Sequence, residues 1–62
     1  MNETNALLEA ITAEAFDGEF YRIVRSFRND DIDGASHEMI RRIWDATGIH
    51  EDTLWDLVAE VA

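Results

Sequence analysis

The sequence predicts an all-α fold: a compact bundle of three to four short helices, the last two forming a helix-turn-helix-like hairpin. Three observations predict it. There is no proline in the 62 residues, β-branched alternation is nowhere sustained, and apolar residues return at helical spacing throughout.

The first helix is expected from about Thr4 to Phe16, with Leu7, Leu8, Ile11 and Ala15 on one face. Asp17-Gly18 then interrupts it. Phe20, Ile23, Val24 and Phe27 continue the apolar pattern, but on a face turned by about 150° from the first. One straight helix would need two opposed stripes and a partner to share them. A break or sharp bend is simpler, with Asp17 as N-cap of a second helix reaching about Arg28.

A third helix is expected from about Ala35 to Ala46, burying Met39, Ile40, Ile43 and one side of Trp44. Gly48 suits the left-handed position just past its end, where a Cβ is penalised. Ile49 would fold back on Trp44 and also staple Leu54 across the start of a fourth helix. That helix, about Glu51 to Val61, opens with two acids at its positive dipole end and buries Leu54, Leu57, Val58 and Val61.

Sixty-two residues make a single acidic helical domain, 1–62, whose core alone supplies about 3–5 kcal/mol at most. With no cysteine there is no disulfide and no thiolate metal site. The expected staple is therefore self-association or a partner. Apolar residues are 47% of the chain, too many for a disordered acidic tail. No apolar run reaches membrane-spanning length, so the expected place is the cytoplasm, with no membrane partner.

Charge is the loudest signal: fourteen acids stand against five arginines and no lysine, a net −9. Residues 1–20 carry −5, residues 21–42 carry +1, and residues 43–62 carry −5. This balance repels nucleic acid and anionic membranes and favours a protein with a basic surface.

The stretch Asn29 to Met39, NDDIDGASHEM, opens like a calcium loop. Asn29, Asp31 and Asp33 take positions one, three and five, and Gly34 takes the glycine at six. Position twelve needs a bidentate Glu, and it is Ile40; Glu38 comes two residues early. The expectation is a polar turn ending in a helix cap from Asp33 or Ser36, with no metal and no cofactor. No catalytic motif appears either, and His37 and His50 stand at helix starts, where solvated or capping roles are expected. The protein is expected to be non-catalytic.

Ile43 to Leu57, IWDATGIHEDTLWDL, resembles the helix-turn-helix of bacterial and phage repressors: Gly48 at the turn, Ile49 after it, Leu54 and Leu57 packing the second helix. It departs from that pattern at Trp44, where a small residue is usual, and in its second helix, which exposes Glu51, Asp52, Asp56 and Glu60 and no cation. Such a helix would be repelled from the major groove. Its acids suggest the opposite role. Asp52, Asp56 and Glu60 repeat every four residues, a line of negative charge spaced about 5–6 Å per step. In size and charge the chain is similar to small phage- and plasmid-encoded inhibitors of host machinery, DNA mimics among them.

Arg22, Arg25 and Arg28 recur on the second helix, facing a phosphate, an acidic partner or the protein's own acids. Tyr21 and Trp55 lie about 110° from the centre of their apolar faces and should be half exposed, suited to anchoring a partner or a homodimer seam. The favoured function is an acidic, non-catalytic protein-interaction module, a regulator or inhibitor engaging a basic surface of a nucleic-acid-handling protein. The alternatives are a DNA-binding regulator acting through Arg22, Arg25 and Arg28, or a structural homo-oligomer unit.

Overall fold

A computed structural model describes residues 2–62 and contains four α-helices: α1 (Glu3–Ala13), α2 (Asp17–Arg28), α3 (Gly34–Thr47) and α4 (Glu51–Val61). They form a compact bundle without a strand among the described residues. The radius of gyration is 10.5 Å, against about 10.6 Å for a well-packed chain of this length. α4 lies on α2 and α3, and α1 packs on α2 and α3.

One core holds the four helices. Ile11, Phe20, Ile23, Val24, Ile40, Ile43, Leu54, Leu57 and Val58 are buried, with Leu7, Leu8, Met39, Trp44 and Val61 half-buried around them. Two residues expected inside are not. Ala15 is exposed, and Phe27 keeps 41% of its surface in water. Phe27 stands one residue before the end of α2.

The break between α1 and α2 comes earlier than Asp17-Gly18. α1 ends at Ala13, and Ala15 takes the left-handed conformation at φ 62°. The amide of Phe16 donates to the carbonyl of Ile11 at 3.0 Å, and that of Ala15 to Thr12 at 2.9 Å. This 6→1 and 5→2 pair is a Schellman ending, and it brings Phe16 towards Ile11 as its usual apolar contact. Asp17 is therefore not an N-cap. Phe16 occupies that place with no side-chain bond, while Asp17 and Glu19 lie in the first turn at the positive end of the dipole.

The same ending closes α2. Asp31 N–H donates to Ser26 O at 2.8 Å and Asp30 N–H to Phe27 O at 3.1 Å, with Asp30 left-handed at φ 53°. Aspartate is among the few L residues that visit this conformation readily. α3 closes on Gly48 as expected, at φ 77°, its amide donating to Trp44 O at 2.8 Å. Gly18 and Gly34 sit in the first turns of α2 and α3, where nothing requires a glycine.

Side chains fasten the α3–α4 turn from within. Thr47 Oγ1 donates to Ile43 O at 2.7 Å and accepts from Ile49 N–H at 3.1 Å. His50 Nδ1 accepts from Asp52 N–H at 3.1 Å, making the imidazole the N-cap of α4. That hydrogen bond needs an unprotonated Nδ1, so the nearby Asp52 carboxylate, 3.7 Å from the same atom, is not its ion-pair partner in this arrangement. The ring also lies 4.4 Å from that of Trp44. Ile49 is half-buried against the core that holds Leu54, which are the N′ and N4 positions of a hydrophobic staple.

Candidate protein-binding face

Asp52, Asp56 and Glu60 are all exposed on α4. A four-residue step on a helix advances about 40° beyond a full turn, so the line drifts around the axis rather than running straight. Its two ends meet different neighbours. Asp52 stands beside the His50 cap at the α3 end of the helix. Asp56 and Glu60 border a cleft shared with α1, together with Glu3, Thr4, Leu7, Thr53 and Leu57.

Glu60 is also a tie between helices: Thr4 Oγ1 donates to its Oε1 at 2.7 Å. Glu3, in the first turn of α1, adds a third carboxylate to the same rim. Helical periodicity along α4 alone gives no hint of this grouping. The negative surface therefore crosses from α4 to α1, a neighbour 56 positions away in sequence.

The arginines of α2 do not form one strip. Three-residue steps rotate about 60° per step around a helix, so Arg22 and Arg28 face different surroundings. Arg28 reaches the end of α4, its Nε donating to Ala62 O at 3.3 Å and its Nη2 to Val61 O at 3.4 Å. A cation there complements the negative end of the α4 dipole. Arg22 lines a second cleft of about 200 Å³, between α2 and the start of α3, with Glu19, Asp33 and Met39. Arg25 is exposed. Outside α2, Arg41 bridges the hairpin to Glu51 at 4.0 Å, an exposed pair that contributes about 1 kcal/mol at most.

The aromatic pair also separates. Trp55 is half-buried, and its ring lies 5.1 Å from that of His37 at the start of α3. It roofs the α3–α4 seam. Tyr21 remains half exposed at 50%, with the edge of its ring against Phe20 at 5.7 Å.

In NDDIDGASHEM, the loop geometry is that of a cap. Asp33 Oδ1 accepts from the Ser36 amide at 3.0 Å and from the Ser36 hydroxyl at 3.1 Å. These bonds, the amide first, hold the Asp33 carboxyl below its ordinary value of 3.8. Among the described residues no three His, Cys, Asp or Glu side chains are grouped to hold a metal ion. None of the described helices is long and apolar enough to cross a membrane.

Comparison of the chain with protein families, with curated proteins and with solved structures gives no match. The class that fold and composition define is thus architectural: a small, acidic, all-α bundle of four helices.

Proposed function

We propose that the protein is a non-catalytic interaction module, a small acidic regulator or inhibitor of phage or plasmid type. Its α1–α4 face would engage a basic surface on a nucleic-acid-handling protein. The observation that carries this reading is the exposed run of Asp52, Asp56 and Glu60, extended onto α1 by Glu3. Carboxylates at this spacing offer a basic cleft a succession of negative charges such as it meets on a nucleic-acid strand. Tyr21 supplies an exposed aromatic anchor, a residue type frequent at the centres of interfaces. Trp55, packed on His37, is the weaker anchor of the two.

The test is affinity capture from the native host with the wild-type chain and with an Asp52→Lys/Asp56→Lys/Glu60→Lys variant. The expected result is a basic protein retained by the first and lost from the second. Equal capture by both would exclude the acidic run as the binding surface.

A second reading, a structural homo-oligomer, is favoured by the exposure of Tyr21 (50%) and Phe27 (41%) on the same helix. Light scattering at high protein concentration distinguishes it: a stable assembly that Tyr21→Ala/Phe27→Ala disperses supports this reading, and a monomer removes it. Reading of DNA through Arg22, Arg25 and Arg28 is disfavoured by the acids that surround them and by the engagement of Arg28 with α4. It would require a duplex-DNA shift at low salt that is lost when the three arginines are neutralised.

A further inference from the structure

Net charge and size together oppose the closing of this fold in dilute solution. The molecule carries a net −9 on a body measuring 30 × 21 × 19 Å. In about 10 mM salt the screening length is about 30 Å, so every charge acts on every other across the whole bundle. In about 1 M salt it is about 3 Å, and only neighbouring groups interact. Compaction of a chain so far from neutrality is opposed by self-repulsion. The structure offers little to offset it. Among the described residues, Arg41 with Glu51, at 4.0 Å, is the one arginine–carboxylate pair. Arg28 is turned instead to the backbone carbonyls of Val61 and Ala62.

Folding also gathers like charges from opposite ends of the chain. Thr4 Oγ1 donates to Glu60 across 56 positions of sequence, and Glu3, Asp56 and Glu60 then line one cleft with no cationic residue in its lining. In an extended chain Glu3 is far from both of the others. Beyond that hydrogen bond, α1 rests on α2 and α3 rather than on α4. The α1–α4 seam is therefore where repulsion is least countered.

We propose that the fold is gated by ionic strength: the bundle closes fully only where salt screens its carboxylates, and the α1–α4 seam is the part that salt controls most. A core of this size leaves little margin against such repulsion. The agent is the diffuse ion atmosphere, not an ion held at a site. The inference stands apart from the reading of a basic partner, and it suits the protein to surroundings of high ionic strength.

The test is thermal unfolding of the full chain, followed by circular dichroism, in about 10 mM, about 0.15 M and about 1 M potassium chloride. The melting temperature is expected to rise by about 10 °C across the series, more than half of it below about 0.15 M. Asp56→Asn/Glu60→Gln removes two charges from the seam while Gln keeps an acceptor for Thr4. It should raise the melting temperature in the lowest salt and change it little in the highest. Asp30→Asn/Asp31→Asn removes the same charge from the α2–α3 loop and should give about half that relief or less. A melting temperature that stays flat or falls with salt would overturn the proposal. So would a salt response of one size in the wild type and in Asp56→Asn/Glu60→Gln, because salt acting on apolar burial would stabilise both alike. Equal relief from the two charge pairs would overturn the placement at the α1–α4 seam.

Discussion

Of the three turns that join the helices, the first and the last are built in opposite ways. The α3–α4 turn is made by its own residues. Gly48 takes the left-handed φ without strain, Thr47 bonds both flanks, His50 caps the next helix and Asp52 follows in its first turn. The α1–α2 turn has none of these. An alanine holds the left-handed φ, and no side chain caps α2. Its conformation is paid for by packing, through Phe16 and Phe20 docked into the core beside Ile11. A turn can thus be specified by local chemistry or imposed by what it brings together.

The largest expected effect tests the packing side of that contrast. Phe20 is fully buried, and Phe20→Ala should cost about 3–5 kcal/mol, enough to unfold a core of this size. A cooperative melt at an unchanged temperature would break the comparison outright. Gly48→Ala comes next: it places a Cβ at φ 77°, where an L residue costs about 1–2 kcal/mol. Ala15→Gly should act in the reverse direction. Relief of the left-handed strain outweighs the extra freedom glycine gives the unfolded chain, for a net gain of about 0.5–1 kcal/mol. Denaturant titration of both variants gives the two signs side by side. A loss of stability in Ala15→Gly would mean that the turn is not strained, and the contrast would fail.

The smallest effect concerns the Asp33 cap and is expected to depend on pH. Its folded carboxyl titrates below 3.8, so the ionised cap stabilises the fold above that value. The contribution is lost as pH falls through the lower, folded value. Asp33→Ala should therefore lower the melting temperature at pH 7, and its difference from wild type should shrink in strong acid. A gap that is constant with pH would show that Asp33 acts only through packing.

Particular residues show how far the sequence could be read. Gly48 and Asp33 were legible because turn and cap chemistry act over two to four residues, within the reach of spacing arguments. The turn of about 150° between two apolar faces predicts a break at Asp17-Gly18, yet α1 stops earlier, at Ala13, and Gly18 and Gly34 occupy ordinary helical positions. Among the described residues the left-handed ones are Ala15, Asp30 and Gly48, and only the last advertises itself. Phe27 fits the apolar stripe of α2 and still keeps 41% of its surface in water, because periodicity places a residue on a face and does not say what packs against it. For the candidate face, α4 periodicity gave Asp52, Asp56 and Glu60, but nothing along the chain tied Glu60 to Thr4 or Arg28 to the end of α4.

By itself, then, the sequence determined the helical class, the four segments, most of the core and the sign of the surface. Each of these follows from local periodicity or from composition. Only the tertiary structure decided where the first helix stops, which arginine is engaged, and that Glu3 joins Asp56 and Glu60 around one cleft. Those outcomes depend on which helix lies against which. That choice is made by the shared burial of Ile11, Phe20, Ile43 and Leu54, residues far apart in the chain, and the hydrophobic effect that joins them carries no direction along it.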